Sequence, residues 1–164
     1  MSIKDNFDTE HFSFINYVNL TEKQSRTIWE GRNHPEVRKW MVNTDSFSYE
    51  EHEVFINRLR ERDDRLYWAV LSEGHVAGSF SLHPYDPDKK EGEMGKYLLF
   101  EYRGKGLGKL ATLEFINHIF SVGIVQRVYI KTLLTNKTNQ HVNEAAGFRK
   151  YDLDEKYVYM ELIK

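Results

Sequence analysis

The stretch Arg103-Gly104-Lys105-Gly106-Leu107-Gly108-Lys109 restricts what this chain can fold into more than any other. Ahead of it lies an apolar run, Lys96 to Phe100, and behind it Leu107, Leu110, Leu113, Ile116 and Phe120 recur every three or four residues. The order is therefore strand, glycine turn, helix. Such a turn has two readings. Its glycines make a tight strand-to-helix connection, or they let the backbone approach an anion with no side chain in the way. In the second reading the first amides of the helix, which lack intrahelical partners, point at the anion with the helix dipole behind them. Arg103, Lys105 and Lys109 add fixed positive charge.

The rest of the composition narrows the partners. The net charge of -2 argues against nucleic acid, which asks for a basic excess; basicity confined to residues 103–109 suits a small anion. There is no cysteine, which removes disulfides, thiolate catalysis and cysteine metal sites; no metal is expected. Forty per cent hydrophobic and 14% aromatic residues in 164 suit one packed domain, residues 1–164. No apolar run approaches the roughly 20 residues of a membrane span, and Met1 to Glu10 lacks the apolar core of a signal peptide. The expectation is a cytoplasmic protein without membrane or nucleic-acid partners; a homodimer is left open.

Along the chain, Phe12 to Leu20 reads as a first strand and Glu22 to about Glu30 as a helix. Pro35 suits the first turn of a short helix whose Val37, Trp40 and Met41 share a face, either core or pocket wall. Ser48 followed by Glu51 is a capping-box pattern, and Phe55, Ile56 and Leu59 mark the helix behind it. Leu66 to Leu71 and His75 to Leu82, separated by Ser-Glu-Gly, predict a hairpin. Pro84 to Gly92 reads as a loop, and Glu93 to Phe100 as the strand entering the glycine turn. Arg127 to Leu134 is a further strand. Thr138 to Ala146 is a helix closed by Gly147 as a left-handed cap, and Tyr157 to Ile163 is a last strand. These elements make an α/β or α+β three-layer domain.

Asn136, Asn139, Val142, Gly147 and Phe148 follow Arg103-x-x-Gly106-x-Gly108 by about thirty residues, with one helix and one strand between. The pair of motifs resembles the acetyl-CoA site of the GNAT family of N-acetyltransferases, over most of the chain, from about Phe12 to Ile163. The resemblance implies a mixed central sheet of about six or seven strands flanked by about four helices. It implies that the backbone of Leu98, Leu99 and Phe100 meets pantetheine, that Arg103, Gly104, Lys105, Gly106, Leu107 and Gly108 wrap the pyrophosphate, and that Asn136 and Asn139 flank acetyl-CoA. Strands that part at this point would leave unpaired amides and carbonyls for the pantetheine to satisfy. More narrowly, Arg32 to Met41, Glu50-Glu51-His52 and Glu93 to Tyr97 resemble the branch that acetylates the 4-amino group of UDP-linked amino sugars on the way to pseudaminic acid. The RimJ/RimL-like enzymes of protein N-termini are the competing branch.

Acetyl transfer to an amine needs a base, stabilisation of the thioester oxygen, and a proton for the departing thiolate. Glu93, opening the cofactor strand, is the candidate base unless it is a solvated strand end; His52 and His83 are alternatives with suitable intrinsic pKa. A backbone N–H near Leu98 to Phe100 is expected to meet the oxygen. The family resemblance implies a tyrosine as acid at position 143, but Asn143 stands there, and an amide is no acid. Tyr97, a water, or departure as the thiolate are the substitutes, and loss of activity would leave an acyl-CoA-binding module. Asn143 is still counted with the cofactor contacts. Arg32, Asn33, Trp40 and His83 are candidates for the acceptor side, where a diphosphate would suit Arg32 and rings would stack on Trp40; pairing of Arg32 with Glu36 and a core role for Trp40 are the alternatives.

Overall fold

The computed structural model describes residues 2–41 and 43–164. Its centre is an eight-stranded sheet in the order β1-β2-β3-β4-β5-β6-β8-β7. The strands are β1 (Phe7–Asp8), β2 (Phe12–Asn16), β3 (Leu66–Ser72), β4 (His75–Asp86), β5 (Glu91–Leu98), β6 (Arg127–Leu133), β7 (Arg149–Leu153) and β8 (Tyr157–Ile163). Neighbours are antiparallel except β5 and β6, which run parallel and are joined by the crossover helix α4 (Leu107–Ser121). The other helices are α1 (Glu22–Asn33), α2 (Pro35–Arg38), α3 (Tyr49–Leu59) and α5 (Lys137–Ala145).

Local chemistry sets these bounds. Thr21 caps α1 in a full capping box with Gln24, and Ser48 caps α3 through Glu51 N–H. Glu73 and Gly74, both at positive φ, close the β3–β4 hairpin. Alternation along the strands sends one set of side chains to each face. Phe14, Trp68, Phe80, Met94, Val128 and Met160 pack on Phe115 and Ile119 of α4, while Tyr17, Ala69, Leu71, Val76 and Leu99 pack on Ile28 of α1 and on Ile56 and Leu59 of α3. The result is helix, sheet, helix, the three layers expected, with slightly more strands than the expected six or seven. The extra ones are the two-residue β1 and the wholly exposed β7. Pro84 to Gly92 is not one loop: β4 continues through Pro84, at an irregularity between Leu82 and Tyr85, and β5 begins at Glu91. No helix among the described residues is long and apolar enough to cross a membrane.

Candidate active site

The sheet opens in its middle. β5 and β6 pair through Glu91↔Arg127, Gly92↔Val128 and Glu93↔Tyr129, and there the pairing stops. Beyond it β5 stays bonded to β4 as far as Leu98 and β6 to β8 as far as Leu133. Met94 to Leu98 and Ile130 to Leu133 therefore face each other across a gap with backbone groups unspent. The gap is the floor of a cavity of about 600 Å³. Glu93, where the strands meet, lines one part of it, and Arg103, Gly104, Gly106, Gly108 and Lys109 line another; Trp40, Met41, Lys131, Tyr157, Asn136, Thr138, Asn139, Val142 and Asn143 form further walls.

The glycine turn has the form an anion needs. Gly104 and Gly106 lie at φ 74 and 77, a region that side chains resist. Gly106 is the N-cap of α4 and offers no side chain to the helix's first amides, so those donors remain for a ligand. Across the cavity Asn136 caps α5 by accepting from Asn139 N–H at 3.1 Å, and Asn139 Nδ2 donates to Thr132 Oγ1 at 3.0 Å. These bonds fix the start of α5 against the free end of β6.

Beneath the turn lies a cluster of which the sequence expectations held only Asn143. Lys96 Nζ donates to Thr112 Oγ1 at 3.0 Å and to Asn143 Oδ1 at 2.7 Å, between α4 and α5. Desolvation lowers the Lys96 pKa to about 7. Asn143 is fully buried, and its Nδ2 has no partner. A lysine in a strand reads as solvent-facing, but its parity with Met94 and Leu98 was the signal that it points inward. Glu93 lies on the opposite face, and burial raises its pKa while Lys131 opposes the rise.

Several expected site residues are placed elsewhere. His52 is buried, with Nε2 2.9 Å from Ser25 Oγ, and lines no part of the cavity; burial lowers its pKa. Its work is to pin α3 to α1. His83 also lies off the cavity, 6.2 Å from the Tyr67 ring. Tyr97 reaches the cavity, but its hydroxyl belongs to a buried network with Tyr17 and Ser79, and burial raises its pKa, which weakens it as an acid. Leu99 turns into the α1 core and spends its N–H on Ala77 O at 2.8 Å; Phe100 is exposed and stacks on His34 at 4.8 Å. Of that trio only Leu98 lines the cavity. Lys105 and Leu107 are also outside its wall, Lys105 exposed and Leu107 packed on the α4 core. Asn33 is spent on Phe47, donating to its O at 3.1 Å and accepting from its N at 3.0 Å. Arg32 Nη2 donates to Asn43 O at 3.0 Å, and Nη1 is buried without a partner; Arg32 lines no part of the cavity. Glu36 pairs with Lys39 rather than with Arg32. Tyr157, at the start of β8, lines the cavity, as does Trp40, 37% exposed.

A sheet parted beside a glycine-capped helix suits a ligand that carries both phosphate and amides, as an acyl-CoA does, and residues 16–149 match the family model described as an acetyltransferase (GNAT) domain. The chain belongs to that family, and its donor is acetyl-CoA. Acetyltransferase PseH of Campylobacter jejuni is 23% identical over 145 residues, which is 88% of this chain and 89% of that protein. The crystal structure of Campylobacter jejuni PseH in complex with acetyl coenzyme A superposes with a TM-score of 0.76 at 20% identity, covering 93% of this chain and 99% of that one. Spermidine N-acetyltransferase from Vibrio cholerae, in complex with CoA and spermine, superposes with a TM-score of 0.84 at 16% identity, covering 93% and 95%. The donor fits the residues present: free amides at the start of α4, two basic side chains beside them, and a buried amide donor, Asn143 Nδ2, with no partner.

Proposed function

We propose that this acetyltransferase acetylates the amino group of a nucleotide-linked amino sugar, in the cytoplasm, by direct transfer within a ternary complex. The likeness to PseH along 88% of the chain carries the choice of acceptor. The cavity wall supports it: Trp40 offers a ring for stacking and Lys131 a cation on the Glu93 side. The absence of a cysteine to carry an acetyl group favours direct transfer. In this reading Glu93 takes the proton from the acceptor amine, directly or through a water, and its raised pKa makes it a better base than an ordinary carboxylate. Arg103, Lys109 and the amides after Gly106 hold the diphosphate of the donor, and the free edges of β5 and β6 hold its amide-bearing arm.

The experiment is release of free thiol from acetyl-CoA with a UDP-linked 4-amino sugar, an N-terminal peptide and a polyamine as competing acceptors. Turnover with the sugar nucleotide at a kcat/KM well above the others is expected. Turnover with peptides alone would move the assignment to protein N-termini, and CoA binding without turnover across a broad acceptor screen would leave a binding module.

A further inference from the structure

We propose that Lys96 is the proton donor to the sulfur that leaves the acyl donor, with Thr112 and Asn143 as its positioning residues. The inference rests on the cavity being the acetyl-CoA site and adds the acid that position 143 does not supply.

The hydrogen-bond inventory around Lys96 is closed on two sides. An ammonium has three donors and no acceptor. Thr112 spends its own proton on Gly108 O at 2.6 Å, so toward Lys96 it only accepts. Asn143 turns its carbonyl oxygen to the ammonium, which leaves Nδ2 as a second donor without a partner. One N–H of Lys96 also remains, on a side chain that lines the cavity. The wall thus presents unsatisfied donors, which suit an atom gaining negative charge and not an incoming amine.

The surroundings leave that proton mobile. Met94 and Leu98 flank Lys96 on its own face of β5, and β6 brings Ile130 and Thr132 to the same face. From α4 come Thr112 and, at the turn, Lys109; from α5 comes Asn143, while His141 and Glu144 are exposed. Glu93, Tyr97 and Lys131 belong to the other face. Among the described residues Lys96 has no carboxylate partner, and burial lowers its pKa. Its position along the strand also fits: the phosphate turn begins at Arg103, the strands close at Glu93, and Lys96 stands between them.

The step balances as follows. The acceptor nitrogen forms its bond to the acyl carbon, and the carbon–sulfur bond breaks with its electron pair going to sulfur. Lys96 gives sulfur one proton and becomes a neutral amine, while the acceptor nitrogen loses one proton to Glu93 or water. Solvent then returns a proton to Lys96.

The test follows the Lys96 side chain by carbon-13 NMR of its Cε across pH, in the free protein, with CoA, and with desulfo-CoA, which lacks only the thiol. Lys96→Met assigns the signal, and Lys96→Arg serves if that variant does not fold. Lys96 is expected to titrate near neutrality in the free protein, to shift upward by at least one pH unit with CoA, and to be unmoved by desulfo-CoA. The same titration with both ligands would overturn the proposal, as would an acetyl group found on Lys96 by mass spectrometry, which would make it a nucleophile. For turnover, Lys96→Met should lose on the order of 10²-fold in kcat together with the alkaline limb of the pH profile. Lys96→Arg, which keeps the cation but holds its proton, should bind CoA without restoring kcat; full activity in that variant would refute proton donation. Failure of the wild type to bind CoA at all would instead remove the donor-site reading on which the inference stands.

Discussion

Glu93 and Lys96 sit three positions apart on one strand and point to opposite faces, so a single strand carries a base toward the acceptor and a cation toward the donor. Their pKa values move toward each other for the same reason. Desolvation disfavours each charged form, raising the carboxylate and lowering the ammonium. If Glu93 is the base, its ionised form is the active one, and kcat/KM rises with pH through its raised pKa. Glu93→Gln is expected to lose roughly 10²- to 10⁴-fold in turnover and to lose that acid limb, while calorimetry shows CoA affinity unchanged. A variant with the wild-type pH profile would leave Glu93 as a strand-end carboxylate. Asn33 and His52 are the contrasting case. Their residue types suited a polar pocket, but the Asn33 amide is spent on Phe47 and His52 Nε2 on Ser25 of α1, and no local signal separates the two uses.

At the scale of the element, the glycine turn and α4 hold one end of the donor, and the backbone there carries the function. Gly106 at φ 77 has open space around a would-be Cβ, so the β-carbon of a valine there meets no protein atom, while the side chain strains the backbone by about 1–2 kcal/mol and intrudes on the anion. Gly106→Val should weaken CoA binding at least tenfold. Gly74, at φ 81 in the β3–β4 turn and equally uncrowded, supplies the control: Gly74→Val should cost comparable stability in a thermal melt and leave CoA affinity unchanged. Equal affinity in both variants would remove the phosphate cradle. Elements of this kind were legible in the sequence wherever a periodic run met a cap, as at Ser48 and Gly147, and β8 matches its sequence bounds at Tyr157 and Ile163. β7 was not, because all its residues are exposed and it buries no alternate face. Pro84 misled for a physical reason as well: it sits where the β4–β5 register is irregular, so its missing N–H does not end the strand.

The whole molecule keeps several ionisable groups away from water, and this ties its stability to pH. His52, His83 and His118 all have lowered pKa values, chiefly through burial. Below about 6.5 the unfolded chain binds more protons at these positions than the folded one. Stability is therefore complete with respect to them above that value and is lost as pH falls through their folded values. Glu93 opposes the loss, since its raised pKa makes the folded state bind more protons above the ordinary 4.5. Lys96 acts in a separate window. Its pKa is 10.5 as a free side chain and about 7 in the fold, so the unfolded chain holds more protons between those values and stability climbs with pH there, by a few kcal/mol in all at 1.36 kcal/mol per unit. Thermal melts from pH 5 to 9 are thus expected to show two rises. His118→Phe, which preserves the stacking of His118 on Phe7 at 3.7 Å, should shrink the acid rise only. Lys96→Met should remove the alkaline rise only and raise the melting temperature at neutral pH, because a methionine fills the same space without a charge to desolvate. A Lys96→Met protein whose melting temperature still climbs between pH 7 and 9 as the wild type's does would show that the amine is hydrated in the cavity and titrates as an ordinary lysine.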